Sequence, residues 1–176
     1  SKWLLLMGLL IIATPWLLAK AGKKGVQWMA PAAVAANMQQ QPKLIVVDVY
    51  TNWCQYCKAM DATTWKNDSV VRYLANNCYS VKLNAEEKNS IEWFGKMYDY
   101  LPRFKVNQLA VDLLRGNMVY PSTIIIPLQG EWQVLPGMLQ PSDLEMVLKY
   151  YANDQDKKMD FGSWQQQFVS RWQPAK

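Results

Sequence analysis

The first stretch of the chain has no alternation of apolar and polar positions: residues 3–18 form an uncharged apolar run between Lys2 and Lys20. Beyond it the pattern breaks into short units. Residues 26–38, rich in alanine through Ala32, Ala33, Val34, Ala35 and Ala36, predict a helix closed by Gln39, Gln40, Gln41 and Pro42. Residues 44–50 read Leu-Ile-Val-Val-Asp-Val-Tyr. Such a β-branched run without alternation predicts a strand buried on both faces, and Asp48 is the anomaly inside it. A helix is expected from the Trp53–Lys58 region to about Thr64, and another, capped by Asp68 or Ser69, through Asn76. A strand fits residues 79–83. Residues 91–98 and 109–114 read as helical, interrupted by Pro102. Residues 122–126 and 131–135 are expected as strands around a turn at Gln129-Gly130. Pro141 and Ser142 open a helix running to about Ala152, with Glu145 completing a capping box to Ser142. Strand, helix, strand, helix, two close strands, helix is the order of an α/β sheet with one antiparallel hairpin.

The ends stand apart from this unit. Lys2, the apolar run and then Ala19-Lys20-Ala21 have the layout of a secretory signal peptide spanning residues 1–21, with cleavage after Ala21. Residues 3–18 retained as an inner-membrane anchor is the rival reading, but 16 residues fall short of the roughly 20 that span a bilayer. Either way residues 22–152 are expected to form one exported domain, in a compartment such as the periplasm where thiols can be oxidised. In the tail, residues 153–176, Trp164, Phe168 and Trp172 recur at four-residue spacing, as a short helix docked on the domain requires; a partner-binding helix has the same pattern.

Composition narrows the chemistry. Among 176 residues, 51% of them hydrophobic, there is no histidine. That excludes a Ser-His-Asp or Cys-His nucleophile, a histidine-bearing zinc site and an imidazole base supplied by this chain. Of 19 basic residues, Lys2 and Lys20 lie in the leader, leaving 17 against 14 acidic ones and a net charge of +3. This balance bears on solubility and points to no nucleic-acid partner.

Of the three cysteines, Cys54 and Cys57 are separated by two residues directly after the buried strand. At a helix N-terminus the free amides and the helix dipole stabilise a Cys54 thiolate, lowering its pKa and making it both nucleophile and leaving group. Two other readings stay open on the residues alone. One is a stabilising disulfide, although a loop this short restrains the unfolded chain little. The other is half of a thiol metal site, for which the chain offers only Cys78 and scattered methionines as further soft ligands. Cys78 itself reads as a small buried apolar residue.

Trp53-Cys54-Gln55-Tyr56-Cys57-Lys58 resembles the active-site motif of the thioredoxin-like family, and further landmarks follow in order. Asp48 stands six residues before Cys54, like the buried acid of thioredoxins. Val81-Lys82-Leu83-Asn84 resembles the strand whose lysine neighbours that acid. Tyr120-Pro121 falls where the family has its cis-proline, and Gly137 matches the glycine after the last strand. Residues 28–84 most resemble exported members, including the C-terminal domain of the thiol:disulfide interchange protein, with Trp65, Asp68 and Val70 echoing their pattern. The resemblance spans roughly residues 25–152. It implies a thioredoxin-like α/β fold, a central mixed sheet flanked by helices, with an inserted helical segment near 101–119 as a departure.

The activity implied is thiol:disulfide exchange on protein substrates, without cofactor or metal, by a monomer fed by an upstream electron donor. Cys54 attacks, Cys57 resolves, Asp48 takes the Cys57 proton and Lys82 tunes Asp48. Trp53, Tyr120, Pro121 and Gly137 would line the substrate site, Tyr120 through its backbone. Strong oxidants of the family place a histidine between the cysteines; Gln55-Tyr56 carries no such charge, which favours a reductase. Two other classes remain: a non-catalytic envelope binding or assembly protein using the inserted segment and aromatic tail, and a thiol-based metal carrier.

Overall fold

The computed structural model describes residues 25–172; the expected signal segment lies outside them. No helix among the described residues is long and apolar enough to cross a membrane. The elements run α1 (Pro31–Gln40), β1 (Leu44–Tyr50), α2 (Gln55–Ala62), α3 (Asp68–Asn77), β2 (Cys78–Asn84), β3 (Ile91–Trp93), β4 (Lys96–Tyr98), β5 (Tyr100–Leu101), β6 (Val106–Asn107), α4 (Gln108–Leu113), β7 (Ser122–Ile126), β8 (Gln133–Pro136), α5 (Pro141–Ala152) and α6 (Phe161–Gln167). The main sheet has the order β2-β1-β7-β8, with β1 parallel to β2 and antiparallel to β7.

β1 is central, which explains why its sequence does not alternate: both faces are covered. Ile45, Val47 and Val49 pack on Val34 of α1 and Leu109 and Leu113 of α4. Leu44 and Val46 face Met60 of α2, Leu74 of α3 and Leu144 and Leu148 of α5. Because successive strand side chains point to opposite faces, Asp48 shares the face of Leu44 and Val46, under α2. Asp48 pairs in register with Lys82 on one side and Thr123 on the other.

Several expectations shift. α1 starts at Pro31, whose fixed φ suits a first helical position. Residues before it are extended because Val26 N–H donates to Trp65 O at 3.0 Å and Met29 N–H to Ser80 O at 2.7 Å. Asn67, not Asp68 or Ser69, caps α3, accepting from the amides of Ser69 and Val70. Residues 91–98 are a hairpin rather than a helix. Phe94 and Gly95 take positive φ, 49° and 77°, in a two-residue turn, and a mid-helix glycine would have weakened the helical alternative. The helical segment expected near 101–119 is helical only over Gln108–Leu113, capped by Asn107; β5 and β6 form a second small hairpin before it.

At α5, Pro141 occupies the first turn and Asp143 Oδ2 accepts from Gln140 N–H at 2.9 Å. Glu145 is therefore not the capping acid. It points inward, fully buried, and its Oε2 accepts from Ser170 Oγ (2.6 Å), Arg171 N–H (2.7 Å) and Trp172 N–H (2.9 Å). Lys149 Nζ lies 3.0 Å from its other oxygen. The C-terminal segment is thus strapped to α5, with Trp164 Nε1 donating to Met146 O at 3.0 Å and Trp172 edge-on to Tyr73 at 5.3 Å.

Candidate active site

The two cysteines sit where β1 ends and α2 begins. They form a disulfide, with Cα atoms 5.3 Å apart. Cys54 is the N-cap of α2, and the first-turn amide of Cys57, one of the donors a helix start leaves free, points at Cys54 Sγ at 3.1 Å. That donor and the dipole of α2 act on the sulfur that would carry negative charge after reduction. Both sulfurs are nearly buried, at 5% and 4% residue exposure, whereas Trp53 and Tyr56 beside them are 62% and 69% exposed. The pair is thus recessed behind an aromatic rim.

Trp53 is held in that rim from two sides. Its Nε1 donates to Glu86 Oε1 at 3.0 Å, and its ring meets Tyr120 edge-on at 5.9 Å. The Tyr120–Pro121 peptide is cis, and Gly137, at φ 91°, donates its N–H to Pro121 O at 2.8 Å. A side chain at Gly137 would be strained at that φ. Tyr120 and Gly137 thereby flank Pro121 at the ends of β7 and β8.

Asp48 is 2% exposed. Burial pushes its carboxyl up to about 6, against the pull of the Lys82 ammonium, whose Nζ is 3.3 Å from Asp48 Oδ2. The indole of Trp65 also lowers it, weakly: neither Trp65 Nε1 nor Asp48 Oδ1 has a hydrogen-bond partner among the described residues. Lys82 additionally contacts Asp61 Oδ1 and lies over the rings of Trp28 and Tyr50.

The fold therefore gathers Cys54, Cys57, Trp53, Tyr120, Pro121 and Gly137 at one end of the sheet, with Asp48 and Lys82 in the layer under α2. Sequence reading missed Asp61 and Glu86. Asp61 was detectable, since Cys54, Cys57 and Asp61 recur at helical spacing on one face. Glu86 carried no signal, because it reaches Trp53 only through the path of the loop after β2. Cys78 lies at the opposite end of the sheet, in register with Leu44 at the start of β1. Six residues of strand put it about 20 Å from the redox end, and burial pushes its thiol up to about 12.

A family model described as a thioredoxin-like domain matches residues 30–152. No curated protein matches the sequence. Among solved structures, a thioredoxin-fold protein from Helicobacter pylori aligns with a TM-score of 0.54 at 13% identity, over 70% of this chain and 78% of that one. The DsbH oxidoreductase aligns with a TM-score of 0.51 at 15% identity, over 87% and 95%. The oxidised C-terminal domain of Neisseria meningitidis DsbD aligns at 0.44 and 18% identity, over 72% and 98%. The first two likenesses show the fold.

Proposed function

The chain belongs to the thioredoxin-like domain family, a family of thiol:disulfide oxidoreductases, and from that premise we propose that it reduces protein disulfides in an exported compartment through Cys54 and Cys57. The observation that carries this reading is the Cys54–Cys57 disulfide at the start of α2, with Cys57 N–H on Cys54 Sγ and Asp48 buried in the layer below.

In the reduced enzyme the Cys54 thiolate attacks one sulfur of a substrate disulfide. A mixed disulfide forms and the first substrate thiolate leaves, to be protonated from solvent. The Cys57 thiol then passes its proton to the Asp48 carboxylate. The resulting Cys57 thiolate attacks Cys54 Sγ, expelling the second substrate thiolate, which takes up a proton in turn. Two electrons have moved from the cysteine pair to the substrate, and an upstream dithiol donor resets the enzyme. An Asp48 carboxyl near 6 is ionised enough at neutral pH to accept the proton and basic enough to hold it. Lys82 keeps it from rising further. Trp53 and Tyr120 would bracket an extended substrate segment, with the Tyr120 backbone offering strand-type hydrogen bonds.

The residues between the cysteines support the reducing direction. Gln55 and Tyr56 are neutral and exposed, and supply no charge to stabilise the reduced thiolate as a strong oxidant requires. Export rests on the layout of residues 1–21. The binding-protein reading loses part of its proposed surface, since Trp164 is bonded to α5 and Trp172 is buried. A thiol metal carrier would have to work with two sulfurs, for no group of three His, Cys, Asp or Glu side chains that could hold a metal occurs among the described residues.

The test is reduction of insulin disulfides with dithiothreitol as electron source. The protein is expected to accelerate it, Cys54→Ser to abolish the acceleration, and Cys57→Ser to accumulate mixed disulfides with substrate. Unchanged activity in Cys54→Ser would sink the assignment.

A further inference from the structure

Lys82 is held from four directions, and two of the groups holding it are uncharged. Its Nζ is 3.3 Å from Asp48 Oδ2 and touches Asp61 Oδ1, but it also lies 5.2 Å from the ring centroid of Trp28 and 5.0 Å from that of Tyr50. Ring faces attract an ammonium, and more strongly where water is displaced. The two carboxylates differ: the Asp48 side chain is 3% exposed and that of Asp61 41%. A strongly hydrated ammonium on a flexible stem favours the solvated partner, since approaching the buried one costs it water. Beside it a cleft of about 360 Å³, with Glu87 and Glu92 on its wall, gives a released lysine solvated room. The ammonium is nearer to Asp61, as that preference requires, yet it remains 3.3 Å from Asp48 Oδ2.

Both ring-bearing residues are tied to the frame around the sheet. Trp28 lies between two residues anchored by backbone hydrogen bonds, Val26 to Trp65 and Met29 to Ser80, and its ring stands edge-on against Trp65 at 5.2 Å. Tyr50 is the last residue of β1, two positions along from Asp48 on the same face. We propose that Trp28 and Tyr50 are positioning residues for thiol:disulfide exchange: their ring faces clamp the Lys82 ammonium against Asp48 and so set the charge environment of the group that receives the Cys57 proton. The groups facing Asp48 are Lys82 from β2, Asp61 from α2, Trp65 from the turn after α2, and Thr123 from β7. Among the charged ones Lys82 alone favours the carboxylate, so its place matters most. This inference rests on the proposed role of Asp48 as base.

The experiment is a ¹³C carboxyl NMR titration of Asp48 in the oxidised full chain, which needs no turnover. Trp28→Leu and Tyr50→Leu are each expected to move the Asp48 midpoint upward by about half a pH unit, and the double variant further. Lys82→Met sets the upper limit of the shift, and Trp28→Phe and Tyr50→Phe, which keep a ring, stay near wild type. A wild-type midpoint in the leucine variants while Lys82→Met moves it overturns the clamp, as does an equal shift in the phenylalanine variants. If Trp28→Leu fails to fold, Tyr50→Leu decides alone. In the same variants the pH profile of insulin reduction should move with the titration. Failure of the underlying reading looks different: the titration shifts, but Asp48→Asn leaves the pH profile unchanged.

Discussion

The indole N–H of Trp53 donates to Glu86 Oε1 across 3.0 Å, joining the residue before the redox pair to the irregular segment after β2. With Tyr120 on its other side, Trp53 is braced in a position that its 62% exposure would not otherwise hold. A hydrogen bond is worth about 1 kcal/mol net, and solvent exposure holds one to a charged acceptor near that figure. Glu86→Ala is therefore expected to slow insulin reduction by up to about fivefold and to alter Trp53 fluorescence, with Glu86→Gln retaining most of the activity. Stopped-flow reduction rates together with emission spectra of the two variants check it; identical spectra would mean the bond does not hold the ring.

Asp48 should cost stability at neutral pH. Its folded value of about 6 lies above the ordinary 3.8, so the folded state binds the proton more tightly than the unfolded one. The stability it contributes is complete below about pH 4 and is lost as pH rises through 6, a cost of about 3 kcal/mol at pH 7 and above. Asp48→Asn is expected to raise the urea midpoint of the oxidised protein at pH 8, by less than that full amount because Lys82 loses a partner, and to change it little at pH 4. Equal effects at the two pH values would contradict the assignment.

The same residue should govern resolution of the mixed disulfide. In wild type, release of substrate from the Cys54-linked complex is expected to slow as pH falls through about 6, when Asp48 takes up a proton. Asp48→Asn should remove that inflection and slow release at pH 7 by about 10²-fold, a typical size for a lost general base. Quenched-flow trapping of the complex across pH measures both.

Glu145 acts in the opposite sense. Burial alone would raise its carboxyl, but hydrogen bonds from Ser170, Lys149 and the amides of Trp172 and Arg171 bring it below the ordinary 4.5. Its contribution is in place above pH 4.5 and is lost as pH falls below that. Glu145→Ala leaves the strap's donors and Lys149 without their acceptor and should cost about 3 kcal/mol, with loosening of Trp172 visible in fluorescence. Ending the chain after Gln167 should cost less than Glu145→Ala, because Glu145 then keeps Lys149 and gains water.

Cys78 is expected to resist alkylation in the folded protein and to react on unfolding in urea, since it is 5% exposed and its thiol is pushed up to about 12. Mass spectrometry after iodoacetamide treatment of the reduced protein, with and without urea, checks it. Native labelling at Cys78 as fast as at Cys54 would remove the distinction between a reactive pair and a bystander.

What the sequence by itself determined was local or carried by spacing. The run 44–50 announced a doubly covered strand because seven residues with no polar alternation have no face to offer water, and β1 spans Leu44–Tyr50. The Cys54–Cys57 spacing dictated that the two sulfurs could meet within one helical turn. The cis Tyr120–Pro121 bond and the positive φ of Gly137 occur at landmarks that the family resemblance marked. Residues 91–98 misread because a three-residue strand is too short for its period to outweigh a helical one, and two positive φ values at Phe94 and Gly95 settled the matter. Only the tertiary structure decided which carboxylates matter. Glu145 looked like a surface cap and is the buried anchor of the tail, since Gln140 caps the helix with Asp143 as its acid, and Glu145 falls on the buried side with Leu144 and Leu148. Asp61, Glu86, Trp28 and Tyr50 meet Lys82 or Trp53 from residues 21 to 54 positions away in the chain or across a strand end. Charge and ring-face interactions depend on distance in space and on excluded water, and neither is written in local sequence order.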